Sequence, residues 1–150
     1  MDLILWRHCE AEPGEPDLGR RLTSKGVKQA ERMAAWLDAH LPDTCRILAS
    51  PADRAQQTVL ALKRRFKTVP ELAPGASVAN VLAAANWPDS REPVLIVGHQ
   101  PSIGAVASFL LSGEEAYWSV RKGAVWWLSN RAKERGASVV LKVVLGPDFA

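Results

Sequence analysis

Along this chain, short unbroken apolar runs alternate with stretches in which apolar residues return every three or four positions, and turn signals separate the two. The runs at 3–6 (Leu-Ile-Leu-Trp), 46–49 (Arg-Ile-Leu-Ala) and 94–97 (Val-Leu-Ile-Val) are predicted strands. The last is apolar on both faces, as a central parallel strand is. Val27, Ala30, Ala34, Leu37 and Leu41 predict a helix from Thr23 or Ser24 to about His40, with this set facing inward. After the second strand, Ser50 can cap, Pro51 suits the first helical position and Asp53 favours the positive helix end; Ala55, Val59, Leu62 and Phe66 then face inward. A short strand at 69–72 and a weaker helix at 77–86 precede the central run. Pro101 opens a helix with Ile103, Val106, Ala107 and Leu110 on one side. Segments 124–128 and 139–145 form two strands around a polar loop, as a hairpin or edge pair. Strands alternating with helices predict an α/β fold, a three-layer α/β/α sandwich with a mostly parallel central sheet. The stretch from Glu12 to Arg21, with Pro13, Gly14, Pro16 and Gly19, is expected to be a mobile loop and not a linker.

Composition narrows the class. With 150 residues, 47% of them hydrophobic, the chain can bury one core and is too short to divide, so one domain spanning 1–150 is expected. Nineteen basic against 16 acidic residues leave a net charge of +3, compatible with an anionic substrate and no argument for nucleic acid. The basic groups at 63–67 and 131–135 read as solvated faces; the pair Arg20 and Arg21 looks placed for function. Two cysteines, Cys9 and Cys45, supply neither a disulfide framework nor a metal knuckle, and fit a reducing cytoplasm. There is no signal-peptide pattern and no apolar run of the roughly 20 residues that span a bilayer, so a soluble, cytoplasmic protein without membrane partners is expected.

In an open α/β sheet, ligands bind beyond the carboxyl ends of the strands. Three junctions there carry chemistry: Arg7-His8 after the first strand, Ser50-Pro51-Ala52-Asp53-Arg54 after the second, and Gly98-His99 after the central one. Two imidazoles and two guanidiniums would converge on one edge, a set suited to a phosphoryl group with dispersed negative charge. The histidines show no paired spacing with Asp or Glu for a metal, and arginines beside them would repel a cation. No G-x-x-x-x-G-K or G-x-G-x-x-G follows a predicted strand, which argues against nucleotide binding. His40, near a helix end, reads as structural.

The ordered set Leu5-Trp6-Arg7-His8-Cys9-Glu10, Arg20-Arg21-Leu22-Thr23, Ser50 to Thr58 (SPADRAQQT) and Val97-Gly98-His99-Gln100-Pro101 resembles the histidine phosphatase superfamily, and within it the short bacterial phosphohistidine phosphatases. The likeness spans residues 1 to about 110. It implies that His8 attacks phosphorus and becomes a phosphohistidine that water hydrolyses. It further implies that Arg7, Arg54 and His99 hold the non-bridging oxygens, with Arg20 as a further phosphate contact and Arg21 its competitor. Neighbouring arginines would keep His8 neutral until a dianion arrives. Cys9 stands where the family usually has glycine, which puts the local backbone in question; it is taken as a small substitute and not a redox switch. Trp6 is expected beneath the site, and Trp87 or Trp118 at its rim.

The reading is a metal-independent phosphatase, without cofactor, acting on phosphohistidine of a protein partner; the sequence does not fix its oligomeric state, with a monomer favoured. The short chain has little material for a lid, and an open site would admit a side chain from a partner's surface. A phosphatase of small phosphomonoesters is the rival enzyme, and a non-catalytic phospho-binding module the rival from another class. The intact Arg7, His8, Arg54 and His99 argue against the latter. No carboxylate in the four motifs is marked as proton donor. Among Glu10, Glu12 and Glu71, Glu71 lies towards the end of the expected strand at 69–72 and could reach the site, with a capping or solvent role as its equal alternative.

Overall fold

The computed structural model describes residues 1–133 and 136–150, with side chains described outside 131–137. Part of the basic group at 131–135 therefore lies outside the described residues. The sheet comprises β1 (Asp2–Arg7), β2 (Arg46–Ala49), β3 (Lys67–Thr68), β4 (Val94–Gly98), β5 (Val125–Lys133) and β6 (Gly136–Leu145), in the order β3-β2-β4-β1-β5-β6. The first four run parallel; β5 is antiparallel to β1 and forms an antiparallel pair with β6 at the sheet edge. Helices α1 (Ser24–His40) and α2 (Asp53–Leu60) cover one face, and α3 (Val78–Ala84) and α4 (Ser102–Ser112) the other.

Strand alternation divides the apolar runs between two cores. Ile4, Trp6, Ile47, Ala49, Leu95 and Val97 face α1 and α2, whereas Leu3, Leu5, Leu48, Val94 and Ile96 face α3 and α4. All five residues of β4 are buried, which is why its sequence shows no polar alternation. The predicted three-layer α/β/α sandwich with a mostly parallel sheet is the fold observed. Among the described residues, no helix is long and apolar enough to cross a membrane.

Several local expectations need correction. Val27 is 40% exposed, since the inner face of α1 is set by Gly26, Ala30, Met33, Ala34 and Leu37. Gly26 lies against the Glu10 carbonyl, too close for any side chain, and the Thr23 hydroxyl caps the helix by accepting from the Gly26 N–H at 2.9 Å. Helix α2 begins at Asp53 with Ala52 as its cap, so Pro51 is not its first residue. It ends at Leu60, and buried Leu62 and partly buried Phe66 reach the core from the turn beyond. The strand expected at 69–72 is Lys67–Thr68 instead, followed by a 3-10 turn at Pro70–Leu72. Proline has no N–H to donate to a ladder and its fixed φ suits the start of a helical turn. Pro101 stands just before α4 as its cap residue. Trp87 and Trp118 pack against the second core.

Candidate active site

Parallel pairing sets the relative position of the two predicted imidazoles. Arg7 is opposite Gly98 in the β1–β4 ladder, so His8 and His99 leave the sheet side by side, and the His8 N–H donates to the Gly98 carbonyl at 3.0 Å. The ring centroids are 5.1 Å apart. Both histidines are buried, at 6% and 3% exposure. Ala49 pairs with Val97, which brings Ser50 and the start of α2 to the same edge, and α2 carries Arg54 on its buried side. The four residues that the sequence singled out at three junctions thus meet at the carboxyl edge of β1, β2 and β4.

The ring of His8 has a defined tautomer. Its Nδ1 is 2.7 Å from the Cys9 carbonyl oxygen, which can only accept, so Nδ1 carries the proton and Nε2 the lone pair. Burial pushes the His8 pKa down to about 4, helped by the charges of Arg54, Arg7 and Arg20 and opposed by the Cys9 hydrogen bond. His99 falls to about 3, from burial first and then from His8 and Arg54. Both rings are neutral at physiological pH. Arg7 donates from Nη1 to the Val120 carbonyl at 2.8 Å, and burial lowers its pKa. Arg54 is 4% exposed and donates to Asp17 twice, to the main-chain oxygen at 2.8 Å and to a carboxylate oxygen at 3.1 Å.

Arg7 Nε, Arg54 Nε and His99 Nδ1 are buried without a hydrogen-bond partner among the described residues. The fourth such atom, Asn130 Oδ1, is elsewhere. Orphaned buried N–H groups are rare in folded proteins and costly without a ligand or water to accept from them. Two such guanidinium N–H groups and one ring nitrogen on one edge, beside a neutral imidazole with a free lone pair, form a polar cluster suited to anionic oxygens. Among the described residues no group of three or more His, Cys, Asp or Glu could hold a metal ion.

Arg20 reaches this cluster through Asp17. Its Nη1 is 3.2 Å from the Asp17 carboxylate and its Nε donates to the Glu12 carbonyl, while Arg21 is exposed and lines the groove between α1 and α2. Asp17, held ionised by Arg20 and Arg54, is the residue that sequence reasoning missed. It lies in a Pro- and Gly-rich loop with no periodicity to mark it. Glu71 is exposed in the 3-10 turn after β3 and makes no hydrogen bond among the described residues. Glu10 accepts from the Thr23 hydroxyl at 2.8 Å.

Cys9 has none of the positive φ that would demand glycine. Its thiol is fully buried, pushed up to about 12 by burial with the nearby Thr58 hydroxyl acting in the opposite sense, and stays protonated. The Cys9 N–H donates to the Thr58 hydroxyl, which donates in turn to the Arg54 carbonyl at 2.7 Å. Room for the thiol comes from Gly123, at φ +75°, where an added Cβ would be 3.2 Å from Cys9 Sγ. Trp6 sits below, donating to the Gly123 carbonyl at 3.0 Å.

Residues 3–77 match the family model of the histidine phosphatase superfamily (branch 1). The chain is similar to phosphohistidine phosphatase SixA of Escherichia coli, 32% identical over 123 residues that cover 76% of each protein. It is 33% identical to a SixA homolog of Haemophilus influenzae, covering 89% of this chain and 92% of that one. The fold superposes on a protein histidine phosphatase SixA solved with tungstate, with TM-score 0.76, 25% identity and coverage of 99% of this chain and 98% of that one. On the family model and these relatives together, the chain belongs to the histidine phosphatase superfamily.

Proposed function

We propose that the chain is a phosphatase that works through a phosphohistidine at His8, and that its substrate is phosphohistidine on a protein. The observation that carries the reading is the set of two buried, unpartnered guanidinium N–H groups, on Arg7 and Arg54, and an unpartnered ring nitrogen, His99 Nδ1, around a neutral imidazole. His8 Nε2 attacks phosphorus along the line of the leaving group, the bond from phosphorus to that group breaks, and the phosphoryl oxygens accept from Arg7, Arg54 and His99. Nδ1 keeps its proton on the Cys9 carbonyl, which supports the positive charge that the ring acquires. Water then attacks the phosphohistidine and releases inorganic phosphate. Phosphoryl transfer depends mainly on positioning and charge stabilisation, and these donors supply both with no metal ion in the scheme.

The low pKa of His8 suits a nucleophile that must be unprotonated. A protein substrate is supported by the names of the similar relatives, phosphohistidine phosphatases of comparable length. An imidazole leaving group, with pKa ~6.5, needs far less proton donation than an alkoxide.

The test is a phosphoenzyme trap. Wild type quenched during turnover of a labelled aryl phosphate, with a chelator present, should hold an acid-labile, alkali-stable phosphate. His8→Ala should hold none and turn over roughly 10⁵- to 10⁶-fold more slowly. Label retained in His8→Ala, or activity lost to the chelator and restored by a divalent ion, overturns the reading.

A further inference from the structure

We propose that Ser50 is a positioning residue that fixes the proton of His99 on Nδ1, so that His99 presents an N–H to the phosphoryl oxygens; this rests on His99 acting as an oxygen donor. The assignment follows from counting hydrogens in a closed space. Ser50 is fully buried, and its hydroxyl has two neighbours: the Ala52 N–H at 3.1 Å and His99 Nε2 at 2.7 Å. The amide can only donate, so it occupies one lone pair of the oxygen.

Two arrangements of the neutral ring remain. If Nε2–H donated to the hydroxyl, the hydroxyl hydrogen would be buried with no acceptor among the described residues. Nδ1 would then be a bare lone pair, buried, unpartnered and unable to donate to a phosphoryl oxygen. If the hydroxyl donates to Nε2, every polar group of the Ser50–His99 side-chain pair is satisfied except Nδ1–H, which is left for the substrate. A doubly protonated ring is disfavoured by burial and by the neighbouring His8, Arg54 and Arg7, with only Asp17 opposing.

The serine is itself anchored. Its N–H donates to the Val97 carbonyl at 3.0 Å and its carbonyl accepts from Gln56 Nε2 at 2.7 Å, so the hydroxyl is held against β4 two residues before the ring it serves. His8 and His99 then share one tautomer with opposite duties. His8, tied at Nδ1 by a carbonyl, offers the Nε2 lone pair as nucleophile; His99, tied at Nε2 by a hydroxyl, offers Nδ1–H as donor.

Nitrogen-15 spectroscopy of histidine-labelled protein at neutral pH reads the tautomer directly, and with only three histidines the spectrum is assigned from single variants. Wild-type His99 should show a protonated Nδ1 and an unprotonated Nε2. An Nε2–H tautomer there overturns the proposal whatever the activity. Ser50→Ala should give His99 resonances averaged between tautomers. Its kcat should fall roughly 10- to 100-fold, the range for removing a group that orients a functional histidine, with KM near wild type. An unchanged spectrum and unchanged kcat in Ser50→Ala would also overturn it. A wild type with Nδ1–H but no phosphoenzyme would instead remove the phosphatase reading and leave the Ser50–His99 tautomer assignment standing.

Discussion

The two halves of the sheet serve the site in different ways. On the parallel side, β1, β2 and β4 end at one edge, and the residues after them supply His8, Ser50, Arg54 and His99 as side chains. On the antiparallel side, β5 starts at that same edge, since Val125 pairs with Trp6, but the segment before it contributes main-chain groups. The Val120 carbonyl holds Arg7, the Gly123 N–H donates to the His8 carbonyl at 3.0 Å, and the Gly123 carbonyl holds Trp6. Parallel strands bring many amino-to-carboxyl exits together, where helix starts and polar side chains gather. An antiparallel hairpin brings one entry and one exit to that edge, and here it acts as a wall. Side chains on the parallel half should therefore govern turnover, and those on the hairpin half the stability of the site's shape.

The largest effects should come from the parallel half. Arg54→Ala and His99→Ala are each expected to lower turnover of an aryl phosphate by about 10²–10³-fold, the scale of one lost preorganised donor. Circular dichroism should be unchanged. Near-wild-type rates with an intact fold would break the comparison, because the donors would not be where the chemistry occurs.

Next comes Gly123→Ala, on the hairpin side. An added Cβ would be 2.9 Å from Pro147 Cγ and 3.2 Å from Cys9 Sγ, at a φ of +75° that alanine rarely adopts. The expected cost is about 1–3 kcal/mol in urea unfolding, with a smaller fall in turnover than for Arg54→Ala. Unchanged stability would mean that this wall does not hold the site in shape.

A comparable but graded effect is expected from pH. Unfolded histidine takes up a proton near pH 6.5, whereas burial and arginines hold His8 and His99 at about 4 and about 3. The stability they contribute is full above pH 6.5. It declines as pH falls towards the folded values, by up to about 1.4 kcal/mol per pH unit for each ring. Melting between pH 7 and 5 should steepen in wild type and flatten in a His8→Ala/His99→Ala double variant. The acid limb of kcat/KM should lie near pH 4; a limb near 6.5 would mean that His8 titrates like a solvated imidazole.

The smallest effect is expected at Glu71. Glu71→Gln should change turnover of a phosphohistidine peptide by no more than about twofold, because imidazole leaves without strong general acid help. If the variant abolished turnover of that peptide and of a sugar phosphate alike, the protein-substrate reading would be given up.

The strands β1, β2 and β4 and the helix α1 were legible in the chain to within a residue or two, for one physical reason. Burial on both faces of a strand leaves a short unbroken apolar run bounded by turn signals, and burial on one face of a helix leaves a recurrence every three or four residues. Arg7, His8, Arg54 and His99 were legible as candidates too, since Arg7, His8 and His99 stand at the ends of such runs and Arg54 in the helix start that follows one. What only the tertiary structure decided lies between distant residues. The β1–β4 register places the two rings 5.1 Å apart, the Asp17 carboxylate reaches Arg54 across 37 residues, and the Ser50 hydroxyl reaches His99 across 49. Ser50 reads locally as a helix cap, and Asp17 as one polar residue in a Pro- and Gly-rich loop. Their partners depend on strand order and loop path, and a pairing over such a separation leaves no period in the sequence.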